Sequence, residues 1–201
     1  ISACLVGSEM CIRDRYNTDG YGFMQSVRDA GHDITGKNIT VMGVGGASMA
    51  ICAQSALDGA ASVHIFARRT SRYWNRTQKF AENLSAKTGC QVCLFDNDDH
   101  TALRDSIAQS YLLINATSVG MVPDIDDTII KDTSLFHPEL VVADVVYEPQ
   151  ETRLLREAKA TGCQTFNGMY MLLHQGAKAF QIWTGPVSYT HLRAHETGRN
   201  L

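Results

Sequence analysis

Several things are missing from this 201-residue sequence, and each absence removes a class of protein. No apolar run approaches the roughly 20 residues that a membrane span needs. No basic cluster interleaved with aromatics is present, and a formal net charge of −3 argues against a nucleic-acid-binding surface. There are no internal repeats and no low-complexity linker, so a chain that is 44% hydrophobic reads as one well-packed soluble domain. Six cysteines (Cys4, Cys11, Cys52, Cys90, Cys93, Cys163) are scattered without a second C-x-x-C pair. Cys90 and Cys93 form a C-x-x-C, but QVCLF around Cys93 reads as strand, which points to free thiols rather than a zinc or redox centre, and no metal site is expected.

Both ends lack amphipathic periodicity. Residues 1–15 (ISACLVGSEMCIRDR) and 186–201 (PVSYTHLRAHETGRNL) resemble peptides made when sequencing-adapter DNA is translated with a gene fragment. A secretory signal is the rival for the first, but its apolar run is short and carries Glu9. His191 and His195 have the i, i+4 spacing of helical metal ligands without an acidic third ligand, and they fall in the suspect tail. Residues 16–185 are taken as the natural protein.

Within that stretch, short apolar runs alternate with longer helical patterns. Strands are expected over 39–42, 63–66, 91–95, 112–115, 141–144 and 164–166. Helices are expected over 20–30, 48–57, 73–88, 100–108, 151–161 and 169–183. Such alternation predicts an α/β fold, a Rossmann-like doubly wound parallel sheet of about six strands with helices on both faces. Ligands of such sheets bind beyond the carboxyl ends of the strands.

The first expected strand runs into glycines, ITVMGVGGAS over 39–48. Gly43 suits the positive φ of a tight turn, while Gly45 and Gly46 remove Cβ atoms where something approaches the backbone. With Ala47 opening a helix, strand, turn and helix N-terminus form an anion site of the kind that holds a dinucleotide diphosphate. A plain tight turn gives the same letters. After the second strand, an NAD-binding fold usually places an acid on the adenosine ribose. Here the chain reads HIFARRTSR, with no acid and with Arg68, Arg69 and Arg72 offering guanidinium forks. A solvated basic loop is the bland reading; a clamp for a 2′-phosphate, hence NADP with NAD as the alternative, is favoured.

Four further stretches, YNTDG (16–20), NATSVGM (115–121), DVVYEPQETRLL (144–155) and NGMYMLLHQGAKAFQIWTG (167–185), surround the glycine turn in order. Together the five resemble the shikimate dehydrogenase family, including its quinate/shikimate branch, across residues 16–185. The resemblance implies an NADP-dependent oxidoreductase interconverting 3-dehydroshikimate and shikimate, or quinate in that branch, in the cytoplasm, with a homodimer as a candidate full-length state. It implies that Asp19 bonds substrate hydroxyls and works with a lysine in proton transfer, and that Tyr147 and Gln175 touch substrate. It places Gly43, Gly45, Gly46 and Ala47 at the diphosphate, and Arg68, Arg69 and Arg72 at the adenosine phosphate. Asn115, Thr117, Val145, Gly168 and Met171 match the nicotinamide half. Two positions depart from the family: Ala67 stands where Asn is common, and Tyr170 where glycine is frequent, narrowing the nicotinamide pocket. The family carries its lysine in a substrate domain ahead of NTDG; residues 1–15 offer none, so the chain reads as a cofactor-binding fragment, catalytically incomplete. A non-catalytic NADP-binding module is the rival of another class.

Taken singly, these residues have plainer roles. Asp19 suits a helix cap, Asn115 and Thr117 suit strand-end turns, and Tyr147 suits any strand-to-helix loop.

Overall fold

In the computed structural model, which describes residues 16–185, the apolar runs become six strands of a single sheet. Helix α1 (Asp19–Asp29) leads into β1 (Asn38–Met42), α2 (Gly46–Leu57), β2 (Ser62–Ala67), α3 (Trp74–Thr88) and β3 (Gln91–Asp96). The chain continues through α4 (His100–Gln109), β4 (Leu112–Asn115), β5 (Val141–Asp144), α5 (Arg153–Ala160), β6 (Gln164–Phe166) and α6 (Met169–Thr184). All pairings are parallel, in the order β3-β2-β1-β4-β5-β6, so the winding reverses between β1 and β4. Open parallel sheets of this kind gather ligands at that reversal.

A parallel sheet buried on both sides needs apolar residues in both directions of the pleat. Ile39, Val41, Val63, Ile65, Leu112 and Ile114 face one layer, where α1, α2, α3 and α6 contribute Phe23, Ile51, Leu84 and Met171. Met42, Phe66, Leu113 and Val142 face the other, against Leu103 and Ile107 of α4 and Leu154 and Ala158 of α5. All twelve expected elements are present, with shifted ends. Helix α5 starts at Arg153 rather than 151 because Thr152 is its cap, its hydroxyl accepting from the Leu155 N–H. Helix α2 starts at Gly46, two residues earlier than its apolar pattern suggests. Four cysteines among the described residues are free: Cys52, Cys90, Cys93 and Cys163. No helix among the described residues is long and apolar enough to cross a membrane. Cys4, Cys11, His191, His195 and the two end segments lie outside the described residues.

Helix α1 is wedged between α2 and α6, and two glycines make the wedge possible. A Cβ at Gly20 would overlap the Ala50 carbonyl of α2. One at Gly22 would lie 2.6 Å from the Met171 carbonyl oxygen and 2.7 Å from the Gln175 nitrogen of α6. Residues two apart on a helix project about 200° apart, so the two glycines serve opposite neighbours. At the far end of α1, Arg28 pairs with Asp58, the C-cap of α2, at 2.8 Å.

The two kinds of glycine predict opposite signs. Gly22→Ala forces backbone apart and should lower unfolding free energy by about 1–3 kcal/mol. A Cβ at Gly176, also within a helix, meets nothing within 4 Å. Gly176→Ala should raise stability by about 0.5–1 kcal/mol. Urea unfolding measures both; a neutral Gly22→Ala would contradict the close α1–α6 contact.

Candidate functional site

The turn after β1 is held by its own chemistry. Gly43 has φ of +109°, and a Cβ there would lie 2.8 Å from the Ala116 carbonyl oxygen and 2.9 Å from Thr117 Cγ2. Conformation and space both require glycine. The Gly43 N–H donates to the Phe66 carbonyl at 2.8 Å, and its carbonyl accepts from the buried Ser48 hydroxyl at 2.6 Å. Gly45 and Gly46 differ. A Cβ at either would meet no protein atom within 4 Å, and Gly45 is extended (φ −77°, ψ −177°), a conformation open to any residue. The fold itself asks for no glycine there. What lies before them is open space, bordered by the start of α2, which has no side-chain cap and no acid in its first turn. The first amides of a helix have no acceptor within it, and the helix dipole makes that end positive.

Two clefts meet at Gly45 and Gly46. One, about 450 Å³, runs between α2 and α3 and is lined by Met49, Tyr73, Arg76 and Thr77, with Asn17 and Gly20 at its α1 side. The other, about 640 Å³, runs over the ends of β4 and β5 and is lined by Ala47, Thr117, Ser118, Met121, Val145 and Tyr147. The clefts meet at the α2 amides; the second crosses the carboxyl ends of β4 and β5, whereas the first runs down α2 past Ala53 and Gln54 to Leu57.

The structure brings Gly45, Gly46, Ala47, Thr117, Val145 and Tyr147 to these clefts and keeps other expected residues behind them. Asn115 is buried. Its Nδ2 donates to both Asp144 carboxylate oxygens at 3.1 Å and to the Val119 carbonyl, and its Oδ1 accepts from the Thr117 N–H and hydroxyl. Burial pushes the Asp144 carboxyl above its ordinary pKa, opposed by hydrogen bonds from the Val146 N–H, Asn115 and the Thr152 hydroxyl. Asn115 thus fixes the loop that carries Thr117. Gly168 is also a packing residue, since any Cβ there would overlap the Val145 carbonyl. Met171 sits in the core. Tyr170, half-exposed, lines neither cleft.

Asp19 is not the cap of α1. Thr18 holds that position, and Asn17 Oδ1 accepts the Asp19 N–H at 2.9 Å. The Asp19 carboxylate makes no hydrogen bond or ion pair among the described residues. It lies one turn before Gly22, against whose backbone Gln175 packs, so Asp19 and Gln175 flank the α1–α6 contact.

The arginines behave differently from the sequence expectation. None of Arg68, Arg69 and Arg72 lines either cleft. Arg69 stacks on Trp74, 4.6 Å from the ring centroid. Arg72 lies 4.7 Å from the Tyr73 ring centroid and donates to its hydroxyl at 2.6 Å. The nearest strand-end acid, Asp96, is paired in register with Ala67 but accepts from the Asp98 N–H. Sequence reading missed Tyr73 and Arg76, which line the first cleft from the start of α3. The available signal was spacing: Arg76 follows Arg72 by four residues, one helical turn.

Comparison with known proteins agrees with this geometry. Residues 168–187 match the family model for the shikimate 5′-dehydrogenase C-terminal domain. The chain is 50% identical over 175 residues to the shikimate dehydrogenase (NADP(+)) of Listeria innocua, covering 86% of this chain and 60% of that protein. It is 40% identical over 177 residues to the quinate/shikimate dehydrogenase of Escherichia coli, covering 87% and 61% respectively. The crystal structure of shikimate 5-dehydrogenase from Listeria monocytogenes, in complex with shikimate and NAD, superposes with a TM-score of 0.81 at 48% identity. That match covers 84% of this chain and 58% of the other. Spanning about 60% of the length of the curated relatives it matches, the chain belongs to the shikimate dehydrogenase family.

Proposed function

We propose that this chain is the NADP-binding part of an enzyme that interconverts 3-dehydroshikimate and shikimate. The observation that carries this reading is the open space before Gly45 and Gly46, where two clefts meet at glycines for which the fold has no use. A dinucleotide needs a close backbone approach for its diphosphate and room on both sides. Gly43 shapes the turn, and Gly45, Gly46 and Ala47 present the α2 amides to the diphosphate. The charge of Arg68, Arg69 and Arg72, without an opposing acid in the loop, favours a 2′-phosphate and so NADP over NAD. Listeria relatives at 50% identity are named for NADP(+), in support.

Bound NADP supplies the hydride acceptor for the substrate alcohol. The protein's share is placement. Thr117 and Val145 border the nicotinamide half, held by Asn115, Gly168 and Met171 from behind. Tyr147 reaches from the β5 end to the substrate, and Gln175 offers its amide to it. Asp19, whose carboxylate has no partner among the described residues, bonds substrate hydroxyls and holds the proton-transferring group in place. The reading carries with it a cytoplasmic enzyme, a homodimer when full-length. Comparing rates on quinate and shikimate separates the two substrate branches.

Two outcomes are expected. Calorimetry should show NADP+ binding about ten- to a hundredfold tighter than NAD+, the worth of one charge-assisted phosphate contact. Gly45→Ala should weaken NADP+ by at least about tenfold while thermal stability holds, because extended backbone accepts alanine. Unchanged affinity would return Gly45 to the role of a plain turn.

Asp19→Asn tests the substrate side in the full-length enzyme. Since Thr18 is the cap, the variant should fold normally and bind NADP+ as before. Its kcat/KM should fall by about 10²–10⁴, as for the loss of an acid–base partner. Near-normal turnover would remove Asp19 from the reacting centre.

A further inference from the structure

We infer that Asp144, at the end of β5, is a positioning residue for hydride transfer: it touches no ligand, yet it sets the two loops that wall the second cleft. The inference rests on the NADP reading and gives a role to a residue that the reading leaves unassigned. Asp144 is fully buried (0% exposed) and lines neither cleft. The residues that follow it, Val145, Val146 and Tyr147, do line the second cleft, and so do Thr117 and Ser118 from the loop after β4.

Three separate pieces of chain converge on this carboxylate, and each brings a donor. The Val146 N–H donates to Oδ1 at 2.9 Å, the Thr152 hydroxyl to Oδ2 at 2.8 Å, and Asn115 Nδ2 to both oxygens at 3.1 Å. Each donor is tied in turn to a wall of the cleft. The Val146 carbonyl accepts from the Gly168 N–H at 3.1 Å, so the turn that presents Val145 and Tyr147 is pinned on both sides. Asn115 Oδ1 accepts from the Thr117 N–H and hydroxyl, and that hydroxyl accepts from the Val119 N–H at 3.1 Å. Thr152 caps α5, and a Cβ at Gly120, whose φ is +91°, would stand only 3.4 Å from Thr152 Cβ.

A carboxylate surrounded by donors has no place for an N–H of its own. Asparagine at 144 would aim an amide at one of these donors and leave buried groups unpaired, so the loops would shift to relieve it. A misplacement of about 1 Å in a wall that orients the reacting ring can cost on the order of a hundredfold in rate. The reach of the network is nevertheless short. The turn that carries Gly45 and Gly46 is bonded through Gly43 to Phe66 and Ser48, and it takes no hydrogen bond from Asp144, Asn115 or Thr152 among the described residues. The adenosine half of the cofactor therefore binds independently of Asp144.

That independence supplies the experiment. In the full-length enzyme, turnover with NADP+ and shikimate is measured for Asp144→Asn, Thr152→Val and Thr152→Ser. Calorimetry with 2′,5′-ADP, which carries the adenosine half alone, is run on the same proteins. Asp144→Asn and Thr152→Val should each lower kcat by about ten- to a hundredfold and leave 2′,5′-ADP affinity within about twofold. Thr152→Ser keeps the hydroxyl and should keep kcat within about threefold. If Asp144→Asn does not fold, the contrast between Thr152→Val and Thr152→Ser reads the same network from the α5 side. Unchanged kcat in Asp144→Asn or, where that variant does not fold, in Thr152→Val would overturn the assignment while the NADP reading stands. Loss of 2′,5′-ADP affinity in step with kcat would do the same, by showing general loosening in place of positioning. A parent enzyme that binds neither 2′,5′-ADP nor NADP+ would overturn the NADP reading and this assignment together.

Discussion

Everything at the carboxyl edge of the sheet depends on how closely β1 and β4 approach one another just beyond their last paired residues. Met42 and Asn115 are register partners, and one residue later the backbone of Gly43 faces the Ala116 carbonyl with no room for a Cβ. This contact lies where the strand order reverses. With Gly43 at positive φ, β1 turns away from the sheet and delivers Gly45, Gly46 and Ala47 above it, and Ser48 locks the turn through its hydroxyl. On the other side of the seam, Asn115 bonds Asp144 and so carries the arrangement across to β5 and, through Thr152, to the start of α5. One packing constraint therefore sets the place where the two clefts meet.

The two clefts differ in chemistry. Toward α3 the walls carry a guanidinium and a tyrosine ring, and toward β5 they mix apolar residues with the Thr117 and Ser118 hydroxyls, Tyr147 and Glu148. Helix α1 adds a third party. Its two glycines bring it against α2 and α6 at once, which sets Gly20 against Ala50 at the first cleft and Gly22 against Met171 and Gln175.

The fold was largely legible because its signals are local. Five of the six strands are largely apolar runs, β6 (Gln-Thr-Phe) being the exception, and helical patterns fill the gaps between them. The glycine turn was legible for the same reason, since positive φ and missing Cβ atoms leave a mark in the letters. Side-chain direction was not. Three arginines in five positions look alike in sequence, yet aromatic rings that follow them in the chain, Tyr73 and Trp74, draw two of them aside. Arg76 faces the first cleft only because α3 begins at Trp74 and turns that side of the helix toward α2. Asn115, Gly168 and Met171 were legible as important positions, but their contacts are long-range. A buried asparagine holding an aspartate 29 residues away leaves no trace in spacing.

The most direct test of one dinucleotide bound where the two clefts meet is an NMR titration of the chain with NADP+, followed through assigned backbone amides. The amides of Gly45, Gly46 and Ala47 should shift most, accompanied by those of Tyr73 and Arg76 on one side and Thr117 and Val145 on the other, all along one binding curve. Perturbations confined to one cleft, or leaving the Gly45–Ala47 amides unmoved while others shift, would contradict it.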